Sequence, residues 1–229
     1  MRRVVAVLVA IALFATACSG NEKRPAAVPV YVAVGASETV GVGADHPATE
    51  AWPTVFARTA LPKGSRYVNV GISGATVQEA LAKELPRALK ERPTVVTVWL
   101  NVNDMLAFVT RDRYQGQLQD LVHQLRQGGR ARVLVANVPP LDRLPAYTSR
   151  FGALVPASVV DTAVDGYDAA IAAVVAAEGA ELVDLHAAGL AERAAGTEGR
   201  DISGDGFHPS TAGHAVVAAR FAAVYRSHP

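Results

Sequence analysis

The chain has a single cysteine, Cys18, so it cannot close an internal disulfide. It also lacks a charge excess, with 22 Lys and Arg against 21 Asp and Glu, and no basic patch is interleaved with its aromatics. A nucleic-acid partner is therefore not expected. The apolar run Val4 to Phe14 is shorter than the roughly 20 residues a membrane-spanning helix needs. No group of His, Cys, Asp and Glu has the spacing of metal ligands, so no metal is expected. Gly41-Val42-Gly43 lacks the third glycine of a dinucleotide fingerprint, and no phosphate-binding loop is present. Neither repeats nor low-complexity tracts break the chain.

What remains is a chain of 229 residues, half of them apolar, which is enough for one α/β domain with a large core. The N-terminus reads as a targeting segment. Arg2-Arg3 and the apolar run lead into Ala15-Thr16-Ala17 and then Cys18. Residues 1–17 are thus a signal peptide, and cleavage before Cys18 suits either an ordinary signal peptidase or a bacterial lipoprotein pathway. A lone cysteine followed by a polar tether over 18–28 favours lipidation of Cys18. The expected location is the outer face of the cell membrane, with a secreted soluble protein as the alternative. Without residues 1–17 the formal balance is 20 basic against 21 acidic groups, a net charge of −1.

The domain at 29–229 alternates strand and helix patterns. Strands are expected at Val30–Val34, Tyr67–Val70, Thr94–Leu100, Arg132–Ala136 and Glu181–Asp184, each short, apolar and rich in β-branched residues. Helices are expected near Glu50–Ala60, Thr76–Leu89, Arg113–Gln127, Ser158–Glu178 and Thr211–Arg226. Interleaving of this kind means a parallel sheet covered by helices on both faces. Val138–Ala157, with four prolines, is too long and too interrupted for an ordinary turn.

In such a sheet, ligands bind beyond the carboxyl ends of the strands. The first strand ends in Gly35-Ala36-Ser37, and the second leads into a glycine-rich bend from Asn69 to Thr76. Asn101-Val102-Asn103-Asp104 follows the third strand, and Asp205-Gly206-Phe207-His208-Pro209 precedes the last helix. Each has a plain structural alternative: a capping serine, a tight turn, a helix-capping asparagine, an Asp-Gly turn. Together they supply a nucleophile, backbone N–H donors, an amide donor and a histidine beside a carboxylate, the groups that acyl transfer requires.

On these blocks, from about Pro29 to Tyr225, the chain resembles the SGNH hydrolase (GDSL esterase/lipase) superfamily. The resemblance implies a three-layer α/β/α sandwich with a five-stranded parallel sheet in flavodoxin-like order. It further implies a serine ester hydrolase that needs no cofactor, with Ser37 as nucleophile, His208 as base and Asp205 as its orienting acid. The oxyanion hole would comprise the N–H groups of Ser37 and Gly74 and the amide of Asn103; Gly74 is preferred to Gly71. The expected substrate is a small-molecule, lipid or saccharide ester, and the protein is expected to be a monomer. The alternative is a non-catalytic surface lipoprotein that binds a glycan or lipid in the same cleft.

Two departures fall beside the nucleophile, where Ala36 replaces the usual aspartate and Glu38 the usual leucine. Glu38 is expected to be a solvated cap on a helical turn. The Gly-x-Ser-x-Gly elbow of α/β-hydrolases is missing, since Thr39 stands at the second glycine. Among the other histidines, His186 is the rival base, set aside because the fifth strand is expected to run on through Asp184 and keep the two from pairing. His46, His123, His214 and His228 read as surface or helix residues. Leu106, Phe108, Leu141, Leu144 and Tyr147 are candidates for an acyl pocket.

Overall fold

In the computed structural model, residues 28–150 and 154–228 are described. The signal peptide at 1–17, Cys18 and all but the last residue of the tether at 18–28 lie outside them. The elements run in chain order as β1 (Val30–Gly35), α1 (Ser37–Val40), α2 (Pro47–Glu50), α3 (Trp52–Ala60), β2 (Arg66–Asn69), α4 (Val77–Glu79), a π-helical turn (Ala80–Glu84), α5 (Leu85–Lys90) and β3 (Val95–Trp99). There follow α6 (Val102–Leu106), α7 (Arg111–Arg126), β4 (Arg132–Ala136), α8 (Pro145–Arg150), α9 (Ala157–Glu178), β5 (Glu181–Val183), α10 (Leu185–Ala194), a 3-10 turn (Glu198–Asp201) and α11 (Thr211–Ser227).

All strand pairs are parallel, in the order β2-β1-β3-β4-β5. This is the three-layer, flavodoxin-like arrangement that the resemblance implies. Residues of β1 alternate between two apolar cores because successive side chains in a strand point to opposite faces. Val32 and Val34 join Val96, Val98, Val133 and Val135 beneath α5, α7 and α9. Tyr31 and Ala33 join Val95, Trp99, Leu134 and Ala136 beneath α3 and α11. On that second face Trp52 stacks on Phe221 with ring centroids 4.3 Å apart.

The helix expected at Thr76–Leu89 is broken. Thr76 and Glu79 form a reciprocal capping box that starts it. Pro86 then has no N–H to give to the carbonyl of Ala82, and the helix widens into the π turn, where the Leu85 N–H reaches back to Ala80 O. The sequence reading misses α10 entirely. The Asp184 side chain caps it by accepting from Ala187 N at 2.9 Å. The proline-rich stretch contains α8, and Arg193 ties it to α10 by donating to Asp142 at 2.7 Å. Among the described residues no helix is long and apolar enough to cross a membrane.

Candidate active site

β1 ends where it must leave the sheet without losing contact with it. A Cβ on Gly35 would stand 2.9 Å from the Trp99 carbonyl oxygen of β3, so only glycine lets the two backbones run this close. Helix α1 begins two residues on, with Ser37 in its first position and 7% exposed. The first N–H groups of a helix have no acceptor within it, so that of Ser37 remains available.

The turn before α11 delivers the partner. His208 Nε2 lies 3.0 Å from Ser37 Oγ, and His208 Nδ1 lies 2.5 Å from Asp205 Oδ2. Asp205 Oδ1 also accepts from Ser203 Oγ at 2.7 Å, Phe207 N at 2.8 Å and His208 N at 2.9 Å. Burial alone would raise the Asp205 pKa, but these hydrogen bonds outweigh it and hold the carboxyl well below its ordinary value. Facing a carboxylate, Nδ1 carries the proton of the neutral imidazole. Nε2 is then the acceptor for the Ser37 hydroxyl.

The glycine bend is pinned to the loop that carries Ser37. Ile72 N donates to Gly35 O at 3.0 Å, and Asn69 Nδ2 donates to Thr39 O at 2.6 Å. Gly71 N donates to Asn69 Oδ1 at 2.9 Å, which spends its N–H within the loop. Gly74 has φ of 81°, a left-handed conformation, and open space around its Cα. Asn103, in α6, donates one amide hydrogen to Ala75 O at 3.1 Å and keeps a second. The buried Asp104 carboxyl, also in α6, accepts from Val77 N at 3.1 and 3.2 Å, fixing the start of α4, just past the glycine bend, to α6. Burial raises the Asp104 pKa to about 6, against the pull of the Val77 N–H.

Sequence reasoning misses two supporting residues. Glu84, in the π turn, is fully buried and accepts from Gly35 N through Oε2 at 2.9 Å, while Oε1 has no partner. Burial pushes its pKa up to about 7, with the N–H groups of Gly35 and Ile72 pulling the other way. Its signal was legible: it occupies the apolar stripe Val77, Ala80, Glu84, Ala88. Gly43 has φ of 95°, and a Cβ there would stand 2.2 Å from Pro209 O and 3.0 Å from His208 Cβ. The loop bearing Gly43 thus presses directly on the histidine turn.

Several expectations need correction. His214 lies on a helix, one of the two settings expected, but it is fully buried on α11 rather than at the surface. Trp52 N donates to its Nδ1 at 3.3 Å and its Nε2 donates to Val42 O at 3.1 Å, so it is a neutral strut holding the Gly43 loop. Burial lowers its pKa accordingly. The fifth strand stops at Val183, so His186 lies inside α10 rather than on a continuing strand. Its Nδ1 faces Val138 O at 3.1 Å and Asp168 Oδ2 at 3.5 Å. His46, His123 and His228 are exposed.

Glu38 is not a solvated cap. It is half-buried and lines a cavity of about 120 Å³, its carboxyl 3.4 Å from Ser37 Oγ, and burial raises its pKa. Leu141 and Leu144 line the same cavity. Leu106, the last residue of α6, and Phe108, in the turn after it, do not, being 58% and 91% exposed. The Tyr147 hydroxyl instead donates to Val155 O, within the proline-rich stretch. Among the described residues no three metal-ligating side chains are gathered.

Residues 33–216 match a model of the GDSL-like lipase/acylhydrolase family. Among solved structures, TesA superposes with a TM-score of 0.67 at 23% identity, covering 86% of this chain and 98% of that one. A lipase/acylhydrolase from Enterococcus faecalis gives 0.67 at 21% identity, covering 85% and 94%. Phospholipase A1 from Streptomyces albidoflavus gives 0.66 at 20% identity, covering 89% and 100%. No curated protein sequence matches the chain.

Proposed function

The chain belongs to the GDSL-like lipase/acylhydrolase family and is an ester hydrolase, and on that premise we propose that it works through a Ser37, His208, Asp205 triad and an acyl-enzyme. The observation that carries this reading is the continuous line Ser37 Oγ, His208 Nε2, His208 Nδ1, Asp205 Oδ2, with steps of 3.0 and 2.5 Å.

His208 takes the Ser37 proton as Oγ attacks the ester carbonyl, and Asp205 stabilises the imidazolium that forms. Negative charge on the carbonyl oxygen is met by the N–H groups of Ser37 and Gly74 and the free amide hydrogen of Asn103. His208 gives its proton to the departing alcohol. Water repeats the sequence on the acyl-enzyme and restores Ser37.

We place this enzyme outside the cytoplasm, at the outer face of the cell membrane through lipidated Cys18, or secreted if cleavage is by the ordinary peptidase. Its substrates are lipid or cell-surface saccharide esters. A fluorophosphonate probe on the mature protein tests the core of the reading. Labelling that disappears in Ser37→Ala supports it. Failure of the folded wild type to label, or survival of labelling in Ser37→Ala, overturns it and leaves the non-catalytic binding protein.

A further inference from the structure

The cavity beside Ser37 is walled chiefly by carbon. Trp99 at the end of β3, Leu141 and Leu144 after β4, Leu185 of α10 and Val217 of α11 form its sides with Phe207 and Pro209, and Glu192, Glu198 and Asp201 also line it. At about 120 Å³ it is smaller than the roughly 300–1,000 Å³ of sites for whole drug-sized ligands, so it fits one short arm of a substrate.

Into this cavity, immediately beside the nucleophile, the chain projects the carboxyl of Glu38. Its one side-chain hydrogen bond among the described residues is from Ser37 Oγ, at 3.4 Å. His208 Nε2 is closer to the same hydroxyl, at 3.0 Å, and Ser37 has a single proton to donate. When that proton points to His208, as attack requires, Glu38 loses its one side-chain donor and keeps only its own backbone N–H at a largely apolar wall. A plain alkyl arm would remove its remaining water and offer nothing in return. An arm carrying a hydroxyl or ammonium group would replace the lost donor.

We propose that Glu38 is a specificity-determining residue that makes this enzyme prefer short esters bearing a hydrogen-bond donor a few atoms from the reacting carbonyl over their plain alkyl counterparts. The inference rests on Ser37 being the nucleophile. Of the other acids that line the cavity, Glu192 is bonded by Thr197 and faces Arg220, Glu198 pairs with Arg193 and Asp201 faces Arg200, so among the described residues Glu38 is the lining carboxyl that faces no Lys or Arg. Glutamine keeps an acceptor oxygen at this position, whereas leucine, the usual family residue, removes it.

The test compares kcat/KM of the wild type, Glu38→Gln and Glu38→Leu on butyl butanoate, butyl 3-hydroxybutanoate and 3-hydroxybutyl butanoate. The last two place the donor on the acyl and the alcohol side, and the faster one identifies which half enters the cavity. The wild type should prefer one hydroxylated ester over butyl butanoate by about tenfold, the scale of leaving one buried polar group unpaired. Glu38→Gln should keep the preference, and Glu38→Leu should abolish or reverse it, chiefly by improving KM for butyl butanoate. The proposal is overturned if the wild type favours butyl butanoate, if Glu38→Leu keeps the wild-type ratio, or if Glu38→Leu loses all turnover while still reacting with a fluorophosphonate. Absence of both turnover and labelling in the wild type would instead overturn the triad on which the proposal rests.

Discussion

Ser37 Oγ and His208 Nε2 stand 3.0 Å apart although 171 residues separate them in the chain. Ser37 is held from the end of β1, His208 from the turn ahead of α11, and each position is set by contacts that are not catalytic in themselves. Asp205 is the link most exposed to water, with 44% of its side chain accessible. In Asp205→Asn an amide replaces the carboxylate at Nδ1, and the imidazole no longer keeps its proton on that side. We expect a fall in kcat of about 10⁴-fold with the fold intact. Turnover of p-nitrophenyl esters checks this, and a loss under about tenfold would remove Asp205 from the proposed role.

Asn103→Ala deletes the proposed oxyanion donor and the bond to Ala75 O at 3.1 Å. The first loss should lower kcat by roughly 10²–10³ with little change in KM. The second should cost only about 1 kcal/mol of stability, the usual net value of a neutral hydrogen bond. Chemical denaturation alongside kinetics separates the two, and an unchanged kcat would exclude Asn103 from the oxyanion hole.

Gly43→Ala would place a methyl 2.2 Å from Pro209 O, a backbone atom that cannot rotate away. The histidine turn must shift, and misplacement by about 1 Å costs on the order of 10²-fold in rate. A slower fluorophosphonate reaction and a lower kcat should appear together. Wild-type kinetics in this variant would show that the turn tolerates the displacement.

Glu84 makes stability depend on pH in a direction opposite to that of a paired surface acid. Its carboxyl titrates near 4.5 when unfolded and about 7 when folded. At low pH both states hold the proton. As pH rises from about 4.5 to about 7, the unfolded chain ionises first, and stability falls by roughly 3 kcal/mol before levelling off. Glu84→Gln should therefore be more stable relative to wild type at about pH 8 than at about pH 5. Urea midpoints for both proteins at the two pH values check this, and a constant difference would show that Glu84 does not titrate in this range.

The strands and the principal site blocks were legible because each is local: a β-branched run, a glycine at its end, an Asp-x-x-His turn. Helix α10 was missed because its signal, Asp184 ahead of an alanine-rich stretch, competes with a strand reading that has no local reason to stop at Val183. Glu84 carried a local signal that only matters once the π turn brings it under Gly35. Glu38 carried none, since whether a carboxylate after Ser37 faces water or a cavity depends on Trp99, Phe207 and Pro209, which come from elsewhere in the chain.

The sequence by itself determined the alternation of strand and helix, the faces that each strand buries and the chemical groups at the strand ends, because periodicity and residue type act over a few positions. Tertiary structure decided which of those groups meet. It set His208 rather than His186 against Ser37, made His214 a buried strut, and placed Glu38 on the wall of a cavity. Those outcomes depend on packing between segments far apart in the chain, and burial together with hydrogen bonding, rather than residue type alone, then sets how each ionisable group behaves.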